Sequence, residues 1–220
     1  PTHLVCREAK LNGLTVALTG DGGDESFGGY NRYLIGDAIW NKLNKIPWPI
    51  RGFIGQIGSN IPQLVIENIF KNLNLNKFSS KYFRLCQRLK YIQTNDQFYL
   101  SMISLWRDPN FLLNKDFIKK EIDYLPSIFK SNINSQFEND FLSRMMIYDT
   151  LNYLPNDILT KVDRASMYTS LETRAPFLDH RVIETAWRLK SKFKIDNSKI
   201  NFSGKLILKS ILSKYLPLRL

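Results

Sequence analysis

Twelve residues, Thr19-Gly20-Asp21-Gly22-Gly23-Asp24-Glu25-Ser26-Phe27-Gly28-Gly29-Tyr30, hold five glycines and three carboxylates. They directly follow the apolar run Leu14-Thr15-Val16-Ala17-Leu18. A β-rich run that ends in Gly and Asp predicts a buried strand delivering a loop. Glycines there let the backbone approach a ligand closely and adopt positive φ. Asp21, Asp24 and Glu25 crowd negative charge into the loop, which is costly unless a metal, a cation or a proton shares the space. A solvated turn with an acidic helix start is the plain alternative, but a turn needs one or two glycines, not this density.

The flanking pattern predicts an α/β unit. Pro1 to Asn12 reads as the tail of an apolar-faced helix (Leu4, Val5, Ala9, Leu11) closed by Gly13. After the strand and loop, Asp24 or Glu25 should open a helix, since carboxylates favour helix N-termini. That helix is expected to run through Tyr30, Tyr33, Leu34 and Ala38 to about Trp40. A helix–strand–loop–helix order places a ligand site at the strand's C-terminal end. From Ile46, the residues Pro47, Pro49, Gly52, Gly55, Gly58 and Pro62 predict short, punctuated segments. Apolar spacing then predicts helices near Leu64–Leu73, Lys81–Tyr91 and Gln97–Leu105, with a further segment at Asp108-Pro109 and loops at Pro126 and Ser131–Ser135. The aromatics Phe78, Tyr82, Phe83, Phe98, Tyr99 and Trp106 fall at core spacings. Phe141 to Leu154 predicts an amphipathic helix ended by Pro155, followed by helices over Asp157–Ser170 and Asp179–Leu189. Asp157, Lys161 and Arg164, at i, i+4 and i+7, would share one face. Asp163 would point elsewhere, toward Glu172 or Arg174.

Two stretches resemble one family. Thr19 to Tyr30 is similar to the Ser-Gly-Glu-Gly-x-Asp-Glu-x-Phe-Gly-Gly-Tyr signature in the C-terminal synthetase domain of glutamine-hydrolysing asparagine synthetases. Asp157-Ile158-Leu159-Thr160-Lys161-Val162-Asp163-Arg164-Ala165-Ser166-Met167, with Leu171-Glu172-Thr173-Arg174-Ala175-Pro176-Phe177-Leu178-Asp179-His180, is similar to the same domain's second block. Two long motifs in order are more specific than either alone. The resemblance implies a predominantly helical α/β chain, part of an adenine-nucleotide α-hydrolase-like (PP-loop ATP pyrophosphatase) domain. It divides as 1–40 (strand, acidic loop, helix), 41–140 (helical insertion) and 141–220 (active-site wall and C-terminal helices).

The implied reaction joins aspartate, ATP and ammonia through an acyl-adenylate, with Mg²⁺ as cofactor and a glutaminase domain supplying ammonia from glutamine. On that resemblance Thr19, Gly20, Asp21 and Gly22 contact the nucleotide, and Asp24 is the Mg²⁺ ligand. Asp21, where much of the family has Glu, faces the acyl centre with Glu25 beside it. Asp157, Lys161, Asp163 and Arg164 line the opposite wall. Glu172 and Arg174 form an internal ion pair that holds this wall, and Pro176, Phe177 and Leu178 are structural. The family's Ser-Gly-Gly-x-Asp-Ser loop and its Arg-x-Lys-x-Gly-Phe element do not occur in these residues. An internal fragment, inactive by itself, is therefore expected.

Charge and composition limit the rivals. The formal net charge of +11 suits polyanions, but the lysines are dispersed and no nucleic-acid module appears. A hydrophobic content of 44% without a long apolar run predicts a soluble globular chain with no membrane span or membrane partner, and the lack of a secretion-signal pattern leads to a cytoplasmic expectation. Cys6 and Cys86 predict free thiols rather than a disulfide or zinc set. His3 and His180 exclude a His-rich metal site, and His180 suits a surface or cap role. Two rivals are a β-lactam-forming synthetase, with Tyr153 and Glu138 as its Tyr–Glu pair, and a non-catalytic helical interaction module. A homodimer is compatible with the resemblance.

Overall fold

The computed structural model describes residues 1–72, 79–104, 140–196 and 203–216. It is mostly helical with a few short strands. Two compact units are present: Pro1–Asp37 with the described C-terminal residues, and a second unit that begins at Ala38.

In the first unit, α1 (Thr2–Leu11) ends before Gly13, whose φ of +84° takes the chain into the left-handed turn a β-carbon would resist. Strand β1 (Val16–Leu18) pairs in parallel with β2 (Glu172–Arg174), Val16 opposite Glu172 and Leu18 opposite Arg174. The Thr19 N–H extends the ladder to the Arg174 carbonyl at 2.8 Å. A parallel pair requires a long crossover, so residues far apart in sequence meet here. The expectation of a buried strand is corrected: Val16 and Leu18 are 39% and 74% exposed. Parallel strands are buried only when layers cover both faces, and among the described residues this face has no covering layer.

The single helix expected from Asp24 to Trp40 is two helices, α2 (Gly23–Phe27) and α3 (Asn31–Leu43). Gly28, at φ +72°, ends α2 in the left-handed region, and the Gly29 N–H closes the turn on the Asp24 carbonyl at 2.9 Å. A second correction concerns Pro155. Helix α8 (Phe141–Tyr148) runs through a π-helical stretch (Asp149–Leu159) into α9 (Thr160–Met167), with Pro155 inside. Proline removes an N–H and its ring strikes the preceding turn of an α-helix. The wider π turn relieves that crowding. The Thr160 hydroxyl bonds the Pro155 carbonyl at 2.9 Å. Helix α9 packs on α1, and the π stretch packs on α2.

A short 3-10 turn (Pro176–Leu178) precedes α10 (His180–Arg188), which is capped by the Asp179 carboxylate accepting from the Arg181 N–H. His180 is exposed at the start of α10. The antiparallel pair β3 (Ile195–Asp196) and β4 (Ser203–Gly204) leads into α11 (Leu206–Leu212). The core of the unit gathers Phe27, Phe141, Leu142, Met145, Met146, Tyr148, Leu154 and Leu171.

The second unit holds α4 (Trp48–Asn60), α5 (Gln63–Asn72), α6 (Ser79–Tyr91) and α7 (Asn95–Ile103). The punctuated segments expected over 46–62 are one helix instead. Pro49 falls in its first turn, where proline is tolerated. Gly55 and Gly58 are contact positions rather than breakers. A β-carbon at Gly55 would lie 2.6 Å from the Lys90 amide nitrogen, and one at Gly58 would lie 2.6 Å from the Cys86 sulfur. The helices near 64–73, 81–91 and 97–105 appear as α5, α6 and α7, and Phe98 and Tyr99 are buried. Cys6 and Cys86 are free and buried. Phe78, Trp106, Asp108-Pro109, Pro126, Ser131–Ser135 and Glu138 lie outside the described residues. No described helix is long and apolar enough to cross a membrane.

Candidate active site

The acidic loop leaves β1 and is clamped from one side by the 3-10 turn. A β-carbon at Gly22 (φ +84°) would meet Leu178 Cδ2 at 2.3 Å, so both the backbone and the packing demand glycine here. Gly23 faces the Phe177 ring, which also meets Phe27 edge-on at 5.9 Å. Phe177 and Leu178 thus hold the loop from one side. Thr19 and Gly20 lie just past the strand, with the Gly23 N–H bonded to the Gly20 carbonyl at 3.2 Å. Asp21 is part-exposed in the turn.

Asp24 and Glu25 stand in the first turn of α2 but in opposite surroundings. Asp24 is about one-third exposed and pairs with Lys205 Nζ at 3.0 Å. Glu25 is buried, accepts a 2.7 Å hydrogen bond from the Tyr30 hydroxyl, and keeps Oε2 without a hydrogen-bond partner. Burial pushes the Glu25 carboxyl above its ordinary value, against the opposing pull of the Tyr30 bond. The Tyr30 phenol is pushed up as well, by burial and by that same bond.

Behind Glu25 lies a network no sequence motif announced. The Arg32 guanidinium sits 4.1 Å from the Tyr30 ring centre and 4.9 Å from that of Tyr153. It pairs with the fully buried Asp149 at 2.9 Å, which also accepts from the Tyr33 hydroxyl. A buried carboxylate needs such paired donors. The Asp149 partner of Arg32 on the π-helix is over a hundred residues away in sequence. Tyr153 is pushed up by burial and then by the negative charge of Asp157. Asp157 therefore stands at the margin of this cluster.

The other predicted wall residues lie farther along. Lys161, Asp163 and Arg164 are exposed on α9, which packs against α1 and β2. The π turns interrupt the 3.6-residue spacing that put Asp157 on one face with Lys161 and Arg164. Arg174 pairs with Glu172 at 2.7 Å, but both side chains are more than half exposed, so this pair is a surface contact and not an internal one. Lys205 was missed because it belongs to neither motif. Its backbone is left-handed, at φ +57°.

Among the described residues no group of three or more His, Cys, Asp and Glu is arranged to hold a metal ion. A single part-exposed carboxylate, Asp24, fits Mg²⁺ that arrives on a nucleotide, because such Mg²⁺ keeps waters and phosphate oxygens as its other ligands. A separate open cavity of about 560 Å³, lined by Asp37, Asp140, Ser191, Lys192 and Asp196, borders β3.

A family model described as asparagine synthase matches residues 1–220. The chain belongs to the asparagine synthase family. It is similar to a putative asparagine synthetase [glutamine-hydrolyzing] 2 of Methanocaldococcus jannaschii, 33% identical over 77% of this chain and 28% of that protein. It is also similar to asparagine synthetase [glutamine-hydrolyzing] 1 of Bacillus subtilis, 24% identical over 90% of this chain and 28% of the relative. A putative asparagine synthetase [glutamine-hydrolyzing] of Mycobacterium tuberculosis is 26% identical over 96% of this chain and 29% of its own length. The chain thus spans less than a third of these relatives. No solved structure matches.

Proposed function

We propose that the protein carrying this chain amidates aspartate to asparagine, with ATP as the driving substrate and ammonia drawn from glutamine by an N-terminal glutaminase domain. Family membership and the acidic glycine loop support this reading. The loop is held at the C-terminal end of a parallel strand, where α/β units bind ligands, with the part-exposed Asp24 beside the buried Glu25. In the reaction the aspartate side-chain carboxylate attacks the α-phosphorus of ATP, and the bond to pyrophosphate breaks. Ammonia then attacks the acyl carbon, the bond to AMP breaks, and a proton leaves the new amide.

Asp24 would hold Mg²⁺, which supplies charge neutralisation at the phosphates. Thr19, Gly20, Asp21 and Gly22 would bring backbone groups to the nucleotide, and Asp21 would face the acyl centre. Glu25, poised by Tyr30, would accept or hold a proton near it, since a raised carboxyl suits that task. Asp157, Lys161, Asp163 and Arg164 would bind the aspartate end. The site requires an aqueous compartment with ATP and glutamine, in keeping with the cytoplasm.

The test is product analysis on the full-length protein with labelled aspartate, ATP, Mg²⁺ and either glutamine or ammonia. Asparagine, AMP and pyrophosphate should form in equal amounts. ADP and phosphate in their place would exclude adenylation. Turnover that ignores ammonia would favour ring closure on a larger acid.

A further inference from the structure

We propose that Lys205 is a phosphate-binding residue of this site: it neutralises Asp24 at rest and transfers to an ATP phosphate oxygen when the metal takes the carboxylate. The inference rests on the proposed role of Asp24 as the metal ligand. Its geometry is independent of that role.

The turn around the pair is built for close approach. A β-carbon at Gly29 would lie 1.7 Å from Asp24 Oδ1 and 2.4 Å from Lys205 Cε, so the ion pair passes directly over a bare backbone. One at Gly204 would lie 2.2 Å from the Gly28 carbonyl oxygen. Lys205 itself occupies the left-handed region that a side chain rarely adopts, and its N–H bonds the Phe27 carbonyl at 3.2 Å. Backbone strain held by surrounding contacts is a feature of ligand sites. Here it aims an ammonium at the loop carboxylate.

Both partners remain about one-third exposed, so a ligand can reach them. A divalent cation on Asp24 would repel an ammonium left 3.0 Å from the same carboxylate. The lysine has a flexible four-carbon stem and three donors, and a phosphate is the natural acceptor for such a point charge. Nucleotide and metal would therefore arrive together. Metal alone must compete with Lys205 for Asp24, and nucleotide alone must draw Lys205 off Asp24 and leave that carboxylate without a cation.

Mn²⁺ binding followed by electron paramagnetic resonance on the full-length protein tests this, with and without a non-hydrolysable ATP analogue. Lys205→Met removes the competitor, so Mn²⁺ alone should bind about two- to fivefold tighter, the scale of an exposed ion pair. The same variant should bind the analogue with Mn²⁺ about ten- to a hundredfold more weakly, the scale of a charge-assisted hydrogen bond. Lys205→Arg, which keeps the charge, should restore most of the analogue affinity. Lys205→Met with both affinities unchanged, while Asp24→Asn loses Mn²⁺, overturns the Lys205 proposal alone. Asp24→Asn that keeps wild-type Mn²⁺ affinity overturns the metal-ligand assignment on which it rests. Equal loss of both affinities in the Met and Arg variants, with a matching drop in thermal midpoint, assigns Lys205 a purely structural clamp and overturns the proposal too.

Discussion

Asp21 and Asp24 share one short loop but differ in surroundings, and the proposed function gives them different work. Asp24 faces a cation at 3.0 Å, whereas Asp21 sits in the turn ahead of α2. Asp24→Asn keeps the side chain's size but loses the charge a metal seeks, so Mg²⁺-ATP affinity and adenylation should fall while glutaminase activity persists. Asp21→Asn should leave nucleotide affinity near wild type and impair amide formation. Nucleotide titration beside amide assay decides the matter: equal loss of affinity in both variants removes the division of labour. Glu25 carries a separate expectation. Its carboxyl is raised in the folded chain, so the folded state holds a proton that the unfolded state releases above about pH 4.5. Its presence therefore costs stability as pH rises through the folded value. Glu25→Gln, which can still accept from Tyr30, should raise the thermal midpoint at pH 7 and lose that advantage near pH 4. A midpoint difference that does not change with pH would contradict the burial argument.

At the scale of elements, the Asp149 bolt ties α3 to the π-helix within the first unit. Removing the buried Asp149 takes from Arg32 and the Tyr33 hydroxyl the carboxylate that they share. Asp149→Ala should therefore cost about 3–5 kcal/mol, read from urea unfolding, and Asp149→Asn less because Tyr33 can still bond it. A change below 1 kcal/mol would show that Arg32 finds water. Local signals in the sequence conveyed the helices that obey one period, such as α6 and α7, and the loop whose chemistry is contiguous from Thr19 to Tyr30. They failed where a residue's usual meaning was overridden by its neighbours. Pro155 ordinarily ends a helix, but π turns absorb it. Gly55 and Gly58 ordinarily break one, but α6 packs against the bare surface they leave. Arg32–Asp149 and Asp24–Lys205 were invisible for another reason: each joins residues more than a hundred positions apart, and no local spacing encodes such a meeting.

At the scale of the molecule, the question is what residues 1–220 can do by themselves. They hold the acidic loop, its clamp and the buried network, but the parallel sheet has only two described strands and leaves Leu18 largely exposed. Neither a Ser-Gly-Gly-x-Asp-Ser loop nor an Arg-x-Lys-x-Gly-Phe element occurs among them. In the proposed reaction those elements stabilise departing pyrophosphate and developing charge, work for which Lys205 is a single cation. Loss of one such electrostatic group costs about a hundred- to a thousandfold in rate, and two losses compound. A protein consisting of residues 1–220 alone should therefore release no pyrophosphate above background with aspartate, ATP, Mg²⁺ and ammonia. It should still fold, because its core is formed by its own side chains, from Phe27 to Leu171. Circular dichroism and a cooperative thermal transition verify the fold, and pyrophosphate assay verifies the inactivity. Clear turnover by a folded sample would mean that the charge stabilisation lies inside these residues, with Lys205 and the α9 cations Lys161 and Arg164 as the groups to vary first.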